Sequence, residues 1–359
     1  MATRPAGGDP SRVATRPGLA CFTLCSPIRR SAFCKLVKSQ HRVYGAPLAT
    51  TSGMTQPRCI LPGMTVMVTR RTLRRTYLFR PDEELSQLYR YVLAVTAKRH
   101  DIRVHAVVLM STHEHLIVTD TRGTLPFFLQ ELHRLFALGV KALRKWEGAV
   151  WDHERPSVVH LRTPEAILEK LAYVMANPVA AGLVRYAKDW PGIHTLPDQL
   201  GRASLHAARP AHYFDKDNAL WPERISLDLS MPDIGDMSED EIRATVRNEL
   251  TQRERQARAE VQQRGSACLG TERALKTSPY DRAKSWEPLR GRNPHFAVGK
   301  RQTQAFFEAV AALRAFRRAY RDAMDRWRVG VRTACFPAGT WVMRVVHAAS
   351  IPPASTGPS

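Results

Sequence analysis

VHAVVLMSTHEHLIVT, Val104 to Thr119, is two strands and a turn. The runs Val104–Leu109 and His115–Thr119 are short and β-branched, and a polar Ser111-Thr112 step divides them, which is a hairpin pattern. Upstream, Thr65–Thr69 (TVMVT) reads as a strand. Pro81 and Asp82 then open a helix with Leu85, Leu88, Tyr89, Val92 and Val95 at helical spacing. Downstream, Thr124 caps a second helix with Phe128, Leu132, Leu135, Phe136 and Leu143 on one face. Ser157–Leu161 (SVVHL) is a brief strand. Thr163-Pro164-Glu165 starts a third helix. Its end is expected near Asn177, because Pro178 disfavours helical geometry in the residue before it. The order strand, helix, strand, strand, helix, strand, helix predicts an α+β fold. Its ferredoxin-like antiparallel sheet should carry helices on one face and leave the other open.

The surrounding composition bounds the function. The chain has 359 residues, enough for about two domains and a sizeable core. A hydrophobic share of 44% with 24% charged residues is globular. The formal net charge of +21 argues for a polyanionic partner. The excess is spread out: residues 1–63 carry +8, residues 64–200 carry +5 and residues 201–359 carry +8. No apolar run approaches ~20 residues, so neither a membrane span nor a membrane partner is expected. Cys21, Cys25, Cys34 and Cys59 do not follow a zinc-finger or zinc-ribbon spacing, and the six cysteines in all suit a reducing, cytoplasmic setting.

Four regions follow. Residues 1–63 have no lasting period and read as a disordered basic extension, with Met54 and Met64 as alternative starts. Residues 64–200 form the domain that holds the hairpin, its sheet and its helices. Residues 201–300 hold a charged helix, Ser238–Gln263, and a polar linker. Residues 301–359 form a basic helical region, with an amphipathic helix Gln302–Val329 and a last strand or turn at Phe336–Val346.

Two constellations could carry chemistry. His113 and His115 open the second hairpin strand, and period two puts both imidazoles on one face and Glu114 on the other. A rigid sheet that holds two imidazoles so can bind a metal, although on spacing alone an exposed pair is the simpler reading. The spacing is not that of H-E-x-x-H, whose histidines lie four apart on a helix, which argues against a zinc hydrolase. In LAYVMANPVAAGLV, Leu171 to Val184, Tyr173 and Asn177 share a helix face with Lys170. Alone, that is a half-buried tyrosine and a C-terminal asparagine cap. Together the pieces suggest more. A metal on His113 and His115 needs a further ligand, and the Asn177 amide oxygen would serve. Such a mixed set suits Mg²⁺ or Mn²⁺. Tyr173 would then stand beside a polarised DNA phosphate as a nucleophile. Arg70, Arg71, Arg74 and Arg75, with Lys170, are the candidate DNA contacts, against a solvated turn as the plainer reading of the arginines. His105, in the neighbouring strand, reads as a core-edge histidine or as a support for the metal site.

VHAVVLMSTHEHLIVTD resembles the HUH motif strand of single-tyrosine transposases, and LAYVMANPVAAGLV resembles the tyrosine helix of their REP-associated branch. TRRTLRRTYLFRPDEE, ahead of the first helix, is similar as well, so the resemblance spans roughly residues 64–195. It implies that His113, His115 and Asn177 bind the metal and that Tyr173 becomes 5′-phosphotyrosyl, freeing a 3′-OH. It also implies single-stranded DNA with hairpin or palindromic ends as partner, worked on by a monomer or homodimer without an external energy source. Two positions depart from the pattern. Glu114 replaces a bulky apolar residue, and Ser111-Thr112 replaces the usual Pro-Asn. The rival readings are a domesticated, non-cleaving nucleic-acid-binding protein of the same fold and a relaxase or replication-initiator nickase.

Overall fold

The computed structural model describes residues 57–284 and 294–352. The expected N-terminal extension lies outside the described residues as far as residue 56, together with Cys21, Cys25 and Cys34. The described residues belong to one compact unit.

Strand β1 (Met64–Arg71) is followed by α1 (Glu83–His100), β2 (Ile102–Met110), β3 (His113–Asp120), α2 (Leu125–Arg144), β4 (Ser157–Leu161) and α3 (Pro164–Ala180). The sheet order is β2-β3-β1-β4, with a two-residue strand β7 (Phe296–Ala297) added parallel to β4 at the edge. All the other pairings in this sheet are antiparallel. This is the ferredoxin-like order expected from the sequence. The Asp82 carboxylate caps α1 by accepting from Leu85 N, and Glu83 and Glu84 lie at the positive end of its dipole. Thr163 caps α3 through Ala166 N, as expected.

Both faces of the sheet are covered, and this corrects the expectation of an open face. Val66, Val68, Val107, Leu109, Leu116 and Val118 pack with α1 and α2. Met67, Ala106, Val108, Met110, Ile117 and Val159 pack on the opposite face with α3 and α4 (Glu239–Gln263). A second face this apolar would cost roughly 25 cal/mol per Å² if left in water, so α3 folds over it. A bulge at β2 helps. The register slips between Val104 and Ala106, so Val104 faces one core and Ala106 the other.

Three local expectations are revised. Asp120, not Thr124, caps α2: its buried carboxylate accepts from Thr124 N at 2.9 Å and Leu125 N at 2.8 Å, while the Thr124 hydroxyl donates to His100 O. Helix α3 continues through Pro178 to Ala180. Pro178 sits in the last turn, where it removes a single N–H, and burial of Asn177, Pro178 and Val179 holds the turn. Gly182, at φ +68°, then closes the helix, and Leu183 N donates to Pro178 O. Within Phe336–Val346, Trp341–His347 is a helix and not a strand. The run is rich in β-branched residues, yet a helical turn lets Met343 pack with Phe336, Tyr320, Met324 and Trp327.

Residues 201–300 hold more than the expected linker and charged helix. The ribbon β5 (Ser204–Ala208) and β6 (Arg224–Asp228) lies on α1, and α4 lies on α3. A short helix α5 (Thr271–Lys276) follows. Helix α6 (Thr303–Arg328) matches the expected amphipathic helix, and α7 (Trp341–His347) is the last helix among the described residues. Among the described residues no helix is long and apolar enough to cross a membrane.

Candidate active site

The β1–β3 register sets the first half of the site. Arg71 lies opposite His113, Arg70 opposite Glu114 and Thr69 opposite His115. Alternation then divides them: the histidines face α3, and Glu114 faces α1 and α2. The two imidazoles meet edge to face, with ring centres 4.9 Å apart. Each Nδ1 is tied to a hydroxyl, His115 to Thr69 Oγ1 at 2.7 Å and His113 to Thr112 Oγ1 at 3.0 Å. Both Nε2 atoms reach the Asn177 amide, at 3.3 Å from Oδ1 for His113 and 3.0 Å from Nδ2 for His115.

Helix α3 supplies the second half. Four residues before Asn177, Tyr173 presents its ring 5.7 Å from that of His115, at 80°. Exposure grades sharply across the group: 4% at His115, 8% at Asn177 and 38% at Tyr173. Lys170 holds its ammonium 5.3 Å from the centre of the Tyr173 ring. The site is therefore an exposed phenol beside an imidazole–amide cluster whose inner members are buried.

Its electrostatics favour an anion. Burial, then the nearby His113, Arg71 and Lys170, keep His115 well below the usual histidine range. Burial and Arg253 of α4 lower Lys170. Positive groups crowd the opening, so a phosphate arriving there relieves their mutual repulsion.

The donor set fits a divalent cation. A cation needs both Nε2 lone pairs. In accepting from Asn177 Nδ2, His115 already offers a bare Nε2, and its Nδ1–H donates to Thr69. His113 reaches the same tautomer if the Thr112 hydroxyl turns from donor to acceptor. A hydrogen-bond partner on the second ring nitrogen commonly fixes the tautomer and orientation of a ligand histidine, and here that partner is a hydroxyl. Among the described residues no three His, Cys, Asp or Glu side chains cluster as metal ligands. The candidate set is thus two imidazoles and an amide.

The other expected residues are placed as follows. Arg70 is turned away from the histidines and stacks over Trp151 at 4.8 Å, on the Glu114 side. Arg71 is on the histidine side, while Arg74 and Arg75 sit in the 3-10 turn Leu73–Arg75 at φ 53° and 56°. His105 bonds Ser230 O at 2.8 Å and Thr119 Oγ1 at 2.7 Å, and so belongs to the core edge. Sequence reasoning missed Thr69, Thr112 and Arg253. Antiparallel pairing with His115 was the available signal for Thr69, whereas Arg253 comes from a distant helix and had none.

No family model and no curated protein matches the sequence. Among solved structures, the chain is similar to a REP-associated tyrosine transposase bound to a REP hairpin, at 19% identity and a TM-score of 0.35 over 53% of this chain and 96% of that one. It is also similar to a protein assigned as a transposase from Deinococcus radiodurans R1, at 17% identity and a TM-score of 0.25 over 34% of this chain and 97% of that one. Both are described as transposases.

Proposed function

We propose that this protein is a transposase that cleaves and rejoins single-stranded DNA through Tyr173. The observation that carries the reading is the exposed Tyr173 phenol beside the cluster of His113, His115 and Asn177. The Tyr173 oxygen attacks a phosphorus, and the P–O3′ bond breaks. The phenol proton passes to solvent, and the leaving 3′ oxygen takes one up. The products are a 5′-phosphotyrosine and a 3′-OH. Attack by a 3′-OH on the phosphotyrosine reverses the step and rejoins the strand. One phosphoester replaces another, so no external energy is needed. Asn177 fixes the helix face that aims Tyr173, and Thr69 and Thr112 fix the imidazoles. Lys170 and Arg71 stand where they meet the phosphate. His113, His115 and Asn177 would hold Mg²⁺ or Mn²⁺, which when bound supplies charge stabilisation at the phosphate.

The test uses labelled single-stranded DNA carrying an imperfect hairpin, with Mg²⁺ or Mn²⁺. Wild type should give a denaturation-resistant protein–DNA adduct. Tyr173→Phe should abolish it while binding persists, because the ring and its packing remain. DNA binding by wild type with no adduct would favour the non-cleaving alternative, and an undiminished adduct in Tyr173→Phe would move the nucleophile elsewhere.

A further inference from the structure

A second exposed tyrosine stands in the loop that follows α3. Tyr186 is 38% exposed. Three cations surround it: the Arg258 guanidinium 4.7 Å from the ring centre, that of Arg185 at 5.8 Å and the Lys188 ammonium at 5.9 Å. Glu254 pairs with Arg258 at 3.4 Å. Among the described residues no carboxylate pairs with Arg185 or Lys188, and both are exposed. The loop is also held in place. Arg258 donates to Arg185 O at 3.2 Å, and Ala187 N donates to Glu254 Oε1 at 2.6 Å. Helix α4 therefore staples the loop and sets the ring and its cations before any ligand arrives, which reduces the ordering cost of binding.

An aromatic ring with accessible surface and surplus positive charge suits one ligand chemistry best. A nucleobase stacks on such a ring, and its flanking phosphates meet the cations. An acidic peptide would use the charge and leave the ring idle. We propose that Tyr186, Arg185, Lys188 and Arg258 form a base-stacking subsite for the single strand engaged at Tyr173. This rests on the single-stranded DNA reading of the Tyr173 site. The two places are joined along α4. Arg253, which neighbours Lys170, and Arg258, which backs Tyr186, are five residues apart on that helix. At 1.5 Å per residue the axial separation is about 7.5 Å.

The test is binding of a fluorescent single-stranded oligonucleotide of about 12 nucleotides, followed by anisotropy at several salt concentrations in EDTA, where no strand is cut. Tyr186→Ala should weaken binding by about tenfold, and Tyr186→Phe, which keeps the ring, by less than about twofold. Neither should change the slope of log affinity against log salt. The Arg185→Ala, Lys188→Ala double variant should lower that slope by about 1.4, at 0.7 per phosphate contact. Inorganic polyphosphate, which has no bases, should bind Tyr186→Ala as well as wild type. Unchanged DNA affinity in Tyr186→Ala overturns the subsite and leaves the Tyr173 reading standing. An equal loss on polyphosphate, or on polyglutamate, overturns it too, because the ring would then serve only to hold the cations. Wild type that fails to bind single-stranded DNA at all overturns both readings.

Discussion

Glu114 shows how a charged residue can sit between two ligand-type histidines without disturbing them. Its side chain is fully buried on the far side of the strand, where Tyr89 Oη donates to it at 2.8 Å and His133 Nε2 bonds the other oxygen. Burial, reinforced by the carboxylate, raises the Tyr89 phenol well above its usual range. Burial also lowers His133, against the pull of Glu114. Trp151 closes the group by donating to His133 O at 2.8 Å. Truncation to Glu114→Ala strands two buried polar partners and should cost about 3 kcal/mol in urea unfolding. Glu114→Gln keeps hydrogen-bonding atoms and should cost about 1 kcal/mol. If Glu114→Ala unfolded at the same urea concentration as wild type, the network would be incidental to the fold.

At the level of elements, the caps and helix ends depend on what lies next to them. Asp120 ends β3 and also caps α2, so one buried carboxylate joins the central strand to the helix behind it. Asp120→Ala should therefore destabilise by about 2 kcal/mol, and Thr124→Ala by clearly less, since the Thr124 hydroxyl bonds only the His100 carbonyl. Equal losses in chemical denaturation would return the cap to Thr124. Helix α3 makes a related point. A proline in its last turn is tolerated because the buried face of that turn carries Asn177 between the two histidines.

For the whole molecule, buried and half-buried histidines set the response to acid. His105, His160 and His194 are each lowered to about 4, with burial the leading cause. In the unfolded chain they return to an ordinary value near 6.5. Below that value the unfolded state binds more protons than the folded one. Stability is thus complete above about pH 6.5 and is lost as pH falls toward about 4. Between pH 7 and pH 5 each such histidine should contribute about 1–2 kcal/mol of destabilisation. Thermal unfolding across this range should show a falling Tm, and His105→Gln should flatten the fall. A Tm that is level from pH 7 to pH 5 would mean that these histidines are protonated within the fold.

Periodicity by itself determined β1 to β4, the helices α1 to α4 and α6, the pairing of His113 with His115 on one face, and the alignment of Lys170, Tyr173 and Asn177 along one helix. These depend on spacings of two and of three to four residues, which the chain carries locally. Tertiary structure alone decided that α3 covers the second face of the sheet and so brings Tyr173 and Asn177 to the histidines. It also decided that Thr69 and Thr112 orient the imidazoles, that Asp120 caps α2 and that α4 brings Arg258 to Tyr186. The contacts of α3 with the sheet, of Thr69 with His115 and of Arg258 with Tyr186 join residues far apart in sequence or across a strand pair, whereas Thr112 and Asp120 act on near neighbours in turns that the packed fold shapes. Such contacts follow from which apolar faces must be buried against one another, and no short-range spacing encodes that choice.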